Sequence, residues 1–228
     1  MKIMLKRGIA VLAAATAATV MSASISSAAI VGVSNNTSSL GAQAEILDPS
    51  TTPFSVLNGT VENRGQQGFD EQQNVFLTSA LDVDGGSIAA GTSVASHMIF
   101  FNQNSQSTAL NTHTNVIWTF SHKILGVMSD RNGVLEGKST GILGHDDVTY
   151  PSVTPGDPIF SARGMEGDDT YQIIDPYTLS VSMYLTQPGD WIRVVTAVPL
   201  PAALPLYGAG MALLGFIGWR RKQKAAAA

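Results

Sequence analysis

Leu179, Val181, Met183 and Leu185 alternate with Ser180, Ser182, Tyr184 and Thr186. A period of two places the apolar set on one face of an extended strand and the polar set on the other. The pattern recurs along the chain. Val94, Ser96, Met98 and Phe100 interleave with Ala95, His97, Ile99 and Phe101, apolar on both sides, which predicts a central strand. Val116, Trp118 and Phe120 share one face of residues 115–120, and Ile192, Val194 and Thr196 alternate with Trp191, Arg193 and Val195. Shorter strands are expected at 29–33, 44–47, 75–81 and 124–128, and Asn58-Gly59 between Val56-Leu57 and Thr60-Val61 predicts a hairpin. Residues 62–73 read as polar, 82–86 as a turn and 140–158 as loop. No window between 29 and 197 holds a 3.6-residue apolar period. The expected fold is therefore all-β, a single β-sandwich, jelly-roll-like first and immunoglobulin-like second.

The two ends differ from the middle. Lys2, Lys6 and Arg7 precede an Ala-rich apolar stretch, and Ser26-Ser27-Ala28 offers small residues at the −3 and −1 positions. This predicts a secretory signal peptide over 1–28, cut by signal peptidase after Ala28 or Ala29. At the other end, Ala202 to Trp219 is free of charge, and Arg220, Arg221, Lys222 and Lys224 follow. As a helix this segment covers roughly 27 Å, close to a bilayer's hydrocarbon thickness. A transmembrane helix over 202–219 with a cytoplasmic basic stop over 220–224 is the expectation.

Val198-Pro199-Leu200-Pro201-Ala202 stands immediately before that segment. The order of motif, apolar segment and basic end resembles the PEP-CTERM class of bacterial sorting signals in its VPLPA variant, with Leu200 where the main class has Glu. The resemblance covers about the last 30 residues. It implies recognition by an exosortase, a membrane-embedded cysteine transpeptidase-like enzyme that cuts near the motif and releases or transfers the ectodomain. Independently of the resemblance, Pro199, Pro201 and Pro205 keep the chain out of regular helix, so a protease meets an accessible extended segment. Gly68-Phe69-Asp70-Glu71-Gln72 and Gln187-Pro188-Gly189-Asp190-Trp191-Ile192-Arg193 resemble segments of exported proteins with tails of this kind, and no activity is implied by them.

What remains is one ectodomain, residues 29–197, which is about 169 residues and long enough for a proper core. It holds all 17 acidic residues and only Arg64, Lys123, Arg131, Lys138, Arg163 and Arg193 as bases, a net charge of −11 against −4 for the chain. That balance argues against nucleic acid and anionic lipid as partners. The chain has no cysteine, which removes disulfides, thiolate metal sites and a cysteine nucleophile.

Candidate chemistry is sparse. Asp82-x-Asp84-Gly85-Gly86 offers oxygens to Ca²⁺ from a tight turn, but lacks the length and distal Glu of an EF-hand loop. The same residues build an ordinary Asp-Gly turn. Glu166, Asp168 and Asp169, and Asp146-Asp147 after His145, are carboxylates for calcium or for glycosidase acid/base work, or a solvated acidic loop. His97, His113, His122 and His145 show no metal-binding spacing, and there is no Gly-x-Ser-x-Gly elbow. No cofactor other than Ca²⁺ is suggested. The expectation is a non-enzymatic exported surface or matrix protein, structural or adhesive among exopolysaccharide or in biofilm. It passes through the inner membrane with signal peptidase and exosortase as processing partners. A carbohydrate-binding module, Ca²⁺-dependent or not, is the alternative, and a secreted carboxylate glycoside hydrolase built on Asp146 or Glu166 the third.

Overall fold

The computed structural model describes residues 27–34, 36–57, 63–103, 109–151, 163–186, 189–198, 210–212 and 214–216. The chain divides into a unit Ser26–Leu200 and a second made of Met1–Ile25 with Pro201–Ala228. The first is mostly β, with several sheets and predominantly antiparallel pairing.

Four strands form one sheet in the order β1 (Ile30–Val33), β9 (Asn111–Phe120), β13 (Thr178–Leu185) and β12 (Thr170–Asp175). A larger sheet runs β10 (Ile124–Met128), β14 (Gly189–Ala197), β8 (Ser93–Asn102), β4 (Gln67–Asp70) and β2 (Glu45–Leu47), with β5 (Val75–Phe76) also on β8. All pairs in it are antiparallel except β2 with β4. Two small pairs complete the set. The β6 (Leu81–Val83) and β7 (Gly86–Ile88) pair is a hairpin, and β3 (Phe54–Ser55) lies parallel to β11 (Val148–Thr149).

Alternation explains how the layers are filled. Val116, Trp118 and Phe120 of β9 and Leu179, Val181, Met183 and Leu185 of β13 meet Ile99 and Phe101 of β8 and Ile192 and Val194 of β14 in one buried cluster. The opposite face of the larger sheet is covered too. Val94, Val195 and Met128 pack with Leu81, Ile88 and Leu143, and Phe69, Met98, Phe100 and Trp191 pack with Val56 and Val148. This is why β8 is apolar on both sides. Among the described residues the outer face of the smaller sheet has no such cover. It carries Thr112, Thr114, Ile117, Thr119, Thr178, Ser180 and Tyr184, part-exposed or exposed.

Several expectations needed correcting. A helix, α1 (Val134–Leu143), occupies a stretch without helical periodicity. Its buried residues are Glu136, Gly137, Ser139 and Leu143, so its inward side is largely polar and no apolar stripe could announce it. Asp130 caps it from upstream, accepting from the N–H groups of Val134 and Leu135 at 2.8 Å each. β4 lies in the polar-looking stretch 62–73, and β12 was not foreseen. The expected strand 75–81 divides into β5 and the start of β6, and 82–86 is the tip of the β6–β7 hairpin. Phe54 and Ser55 pair with β11, and the hairpin at Asn58-Gly59 lies outside the described residues.

Among the described residues no helix is long and apolar enough to cross a membrane. The segment expected to do so, 202–219, lies outside them apart from the helical residues 210–212 and 214–216. The signal region before residue 27, the motif beyond Val198 and the basic end 220–224 lie outside them as well.

Candidate functional site

The exposed face of the smaller sheet ends in an open cleft. Leu110, Arg131, Glu166, Gly167, Asp168, Tyr184 and Thr186 line it, enclosing about 400 Å³. Tyr184 stands opposite Thr112 on that face, its side chain 37% exposed. Arg131 donates through Nε to Glu166 Oε2 at 2.9 Å, which fixes both charges at the rim. Asp169 sits beneath. Its Oδ2 accepts from the Glu166 N–H at 2.9 Å and its Oδ1 from the Tyr184 N–H at 2.6 Å, tying the acidic loop to β13. Burial raises its pKa despite these bonds. Of the predicted acids, Glu166 and Asp168 thus meet at a cleft, while Asp169 supports it. The strands β9 and β13 contain no Asp, Glu, Lys or Arg in a domain of 23 such residues. The surface therefore offers hydroxyls, the Tyr184 ring, the Arg131–Glu166 ion pair and the Asp168 carboxylate, a set able to hydrogen-bond and stack on a polyhydroxylated ligand.

A second constellation is buried. Gly68-Phe69-Asp70-Glu71-Gln72 and Asp190-Trp191-Ile192-Arg193 flank β8 from either side and meet through their charges. Arg193 donates from Nε to Glu71 Oε2 and from Nη2 to Glu71 Oε1, both at 2.7 Å. Glu71 also accepts from Ser96 Oγ at 2.5 Å and Tyr150 Oη at 2.7 Å. The remaining guanidinium N–H groups reach Glu136 O, Ser139 Oγ and Thr140 Oγ1 in α1. Burial, then the Glu71 charge, raises the Tyr150 phenol, which therefore stays a donor. Glu136 is fully buried, and among the described residues neither carboxyl oxygen has a hydrogen-bond partner. Burial holds its pKa well above the usual carboxylate range, and the nearby Asp130 charge adds to the effect. With every guanidinium donor committed, this knot is a structural fastening of α1 to the larger sheet.

His97 joins a third arrangement. Its Nδ1 lies 2.7 Å from Asp70 Oδ1 and its Nε2 2.9 Å from Thr196 Oγ1. The order hydroxyl, imidazole, carboxylate is that of a nucleophilic triad. Thr196 and His97 are both fully buried, so no substrate reaches the hydroxyl. The line instead joins β14, β8 and β4 across the sheet. His113 is satisfied in a similar way, with Nδ1 accepting from the Gln66 N–H at 2.9 Å and Nε2 donating to Asn36 O at 2.9 Å. Burial lowers its pKa.

The remaining candidates stay apart. Asp82 lies in β6, and Asp84 accepts from Ser129 N–H and Oγ and from Tyr171 Oη at 2.7–3.2 Å. Those three donors occupy both oxygens of Asp84. Asp146 and Asp147 follow His145, whose Nδ1 accepts from the Asp147 N–H at 3.0 Å, away from the cleft residues. Among the described residues no group of three or more His, Asp or Glu side chains is placed to hold a metal ion. Sequence reasoning missed Asp190, which is 4% exposed with Oδ2 unpartnered. It also missed Arg163, fully buried over the Trp191 ring at 4.5 Å. No local pattern distinguishes such residues from exposed charges. Ala28 is fully buried against the domain, and Val198 donates from its N–H to Ser93 O at 3.3 Å.

No family model, no curated protein and no solved structure matches this chain.

Proposed function

We propose that this chain is an exported bacterial surface or matrix protein, non-enzymatic and structural or adhesive in role, whose jelly-roll-like β-sandwich is delivered by a signal peptide and handed to an exosortase through Val198–Ala202. The observation that carries this reading is the meeting of domain and motif. β14 ends at Ala197, Val198 makes the last described backbone bond, and Pro199 follows at once. A processing enzyme acting at the motif therefore acts beyond the end of β14. The strongly acidic ectodomain suits a solvated protein outside the cell. Intact mass and C-terminal peptide mapping on protein recovered from its host test the reading. An end near Val198–Ala202 supports it, and a membrane-fraction chain running through Ala228 overturns the exosortase step.

The cleft favours a second reading, a carbohydrate-binding module. Tyr184 and Thr186 beside the Arg131–Glu166 pair, continuous with the hydroxyl-bearing strands β9 and β13, which carry no charged residue, supply groups that a glycan needs. Binding of purified host exopolysaccharide without turnover is the expected outcome. No binding across a panel of neutral and acidic polysaccharides overturns this second reading and leaves the first standing.

A further inference from the structure

Ile30 donates its backbone N–H to Asp70 Oδ1 at 2.9 Å, the same oxygen that lies 2.7 Å from His97 Nδ1. Its side chain is 6% exposed and belongs to the cluster between the two main sheets. One residue earlier, Ala29 donates from N to Ser121 Oγ at 2.9 Å and accepts from the Ser121 N–H at 2.9 Å. The signal-cleavage region is thus docked on the domain, next to a carboxylate.

We propose that the chain is processed between Ala29 and Ile30, and that the new α-ammonium of Ile30 completes the Asp70–His97–Thr196 line as an ion pair. The inference rests on the export reading above. In the step itself water adds across the Ala29–Ile30 amide. Ala29 leaves with the signal segment as a carboxylate, and the Ile30 nitrogen takes up the proton as an ammonium. Nothing else is consumed.

The choice of bond follows from what each nitrogen faces. An ammonium on Ile30 lies on a carboxylate, and a neutral amide bond becomes a charge-assisted one. An ammonium on Ala29 would lie on the Ser121 hydroxyl, a neutral group that is 2.8 Å from His122 Nδ1 and supplies no opposite charge. Both cleavages leave small residues at −1 and −3, so the recognition rule alone does not separate them. Ser121 is part-exposed, and water replaces the two bonds lost with Ala29; the buried Ala28 and the Ser27 Oγ bond to Gln73 Oε1 at 3.1 Å leave with the same segment. Ile30 keeps its seat because its side chain is held in the core and β1 continues to pair with β9.

The experiment takes the protein as the host exports it. Its N-terminus is read by intact mass. Its α-amine is then acetylated selectively at mildly acidic pH, and melting is compared before and after, in the wild type and in Asp70→Asn. A start at Ile30, with acetylation lowering the wild-type Tm by roughly 2–4 °C and having no effect in Asp70→Asn, is the expected result. A start at Ala29, or a wild-type Tm indifferent to acetylation, overturns the proposal whether or not the Asp70 variant folds. A start at Met1 on protein found in the cytoplasm overturns the export reading itself, and the two failures are thereby told apart.

Discussion

Arg193 and Glu71 form a two-pronged ion pair with both side chains wholly shielded from solvent. The residues lie 122 positions apart in the chain, Arg193 in β14 and Glu71 directly after β4, on either side of β8. Their pairing fixes where α1 rests, because the same guanidinium holds Glu136 O, Ser139 Oγ and Thr140 Oγ1.

Removing one partner strands the other charge in the interior. Arg193→Met is expected to cost about 3–5 kcal/mol in denaturant unfolding. The double variant Glu71→Leu/Arg193→Met is expected to recover part of that loss, because an apolar pair leaves no uncompensated charge. A double variant no better than the single one would show that the bonds to α1, rather than the charge balance, dominate.

Gly68 lies under Trp118. A Cβ at position 68 would come within 2.5 Å of the indole Cζ3, and the ring is held by its Nε1 donating to Gln66 Oε1 at 3.0 Å. Gly68→Ala should therefore destabilise by about 1–3 kcal/mol. Gly141 in α1 has nothing within 4 Å of such a Cβ. Gly141→Ala should raise stability, by about 0.5–1 kcal/mol. Thermal melts of the two variants are expected to move in opposite directions.

Burial pushes the Asp190 carboxyl up from 3.8 to about 8. Asp169 and Glu166 add to the rise, and Arg163 opposes it. Between these two values the folded chain binds a proton that the unfolded chain has released, so stability contributed by this group falls as pH rises from about 4 to 8 and levels off beyond. Asp190→Asn removes the titration. Its Tm relative to wild type should climb across that window and stay constant above it; a difference that does not vary with pH would overturn the assignment.

His113 has the opposite behaviour. Its pKa is lowered by burial, and the folded form holds the neutral ring through the Gln66 N–H. The unfolded chain takes up the proton first as pH falls. Stability from this group is complete above the ordinary histidine value of 6.5 and is lost on acidification below it. His113→Gln should flatten the acid limb of the stability curve below about pH 6.5.

Tyr184→Ala tests the carbohydrate reading. With a ring 37% exposed, the variant should keep its melting temperature within about 2 °C while losing at least roughly tenfold in affinity for host exopolysaccharide. Unchanged affinity would exclude the cleft as the binding surface.

The long strands were legible because their burial is layered. β8, β9, β13 and β14 each show the period that the sheets impose, and β8 is apolar on both sides because both faces are covered. β4 was hidden because its function is carried by polar contacts: Asp70 bonds Ile30 and His97, and Gly68 makes room for Trp118. α1 was hidden for the same reason, since a buried Glu and Ser replace the apolar stripe that marks a helix. The cleft was half visible. Glu166 and Asp168 stood out as acids, while Arg131 and Tyr184 come from sequence-distant segments that only the fold brings alongside.

β14 is the last described strand, yet it lies inside its sheet, with β10 on one side and nine residues of β8 on the other. Tension entering through Val198 therefore runs along a strand clamped on both flanks. Its ladder is loaded in shear, with many hydrogen bonds sharing the strain, instead of being peeled open one bond at a time. The same placement sets the order of folding: the larger sheet closes only when β14 enters between β10 and β8, after nearly all of residues 29–197 are available.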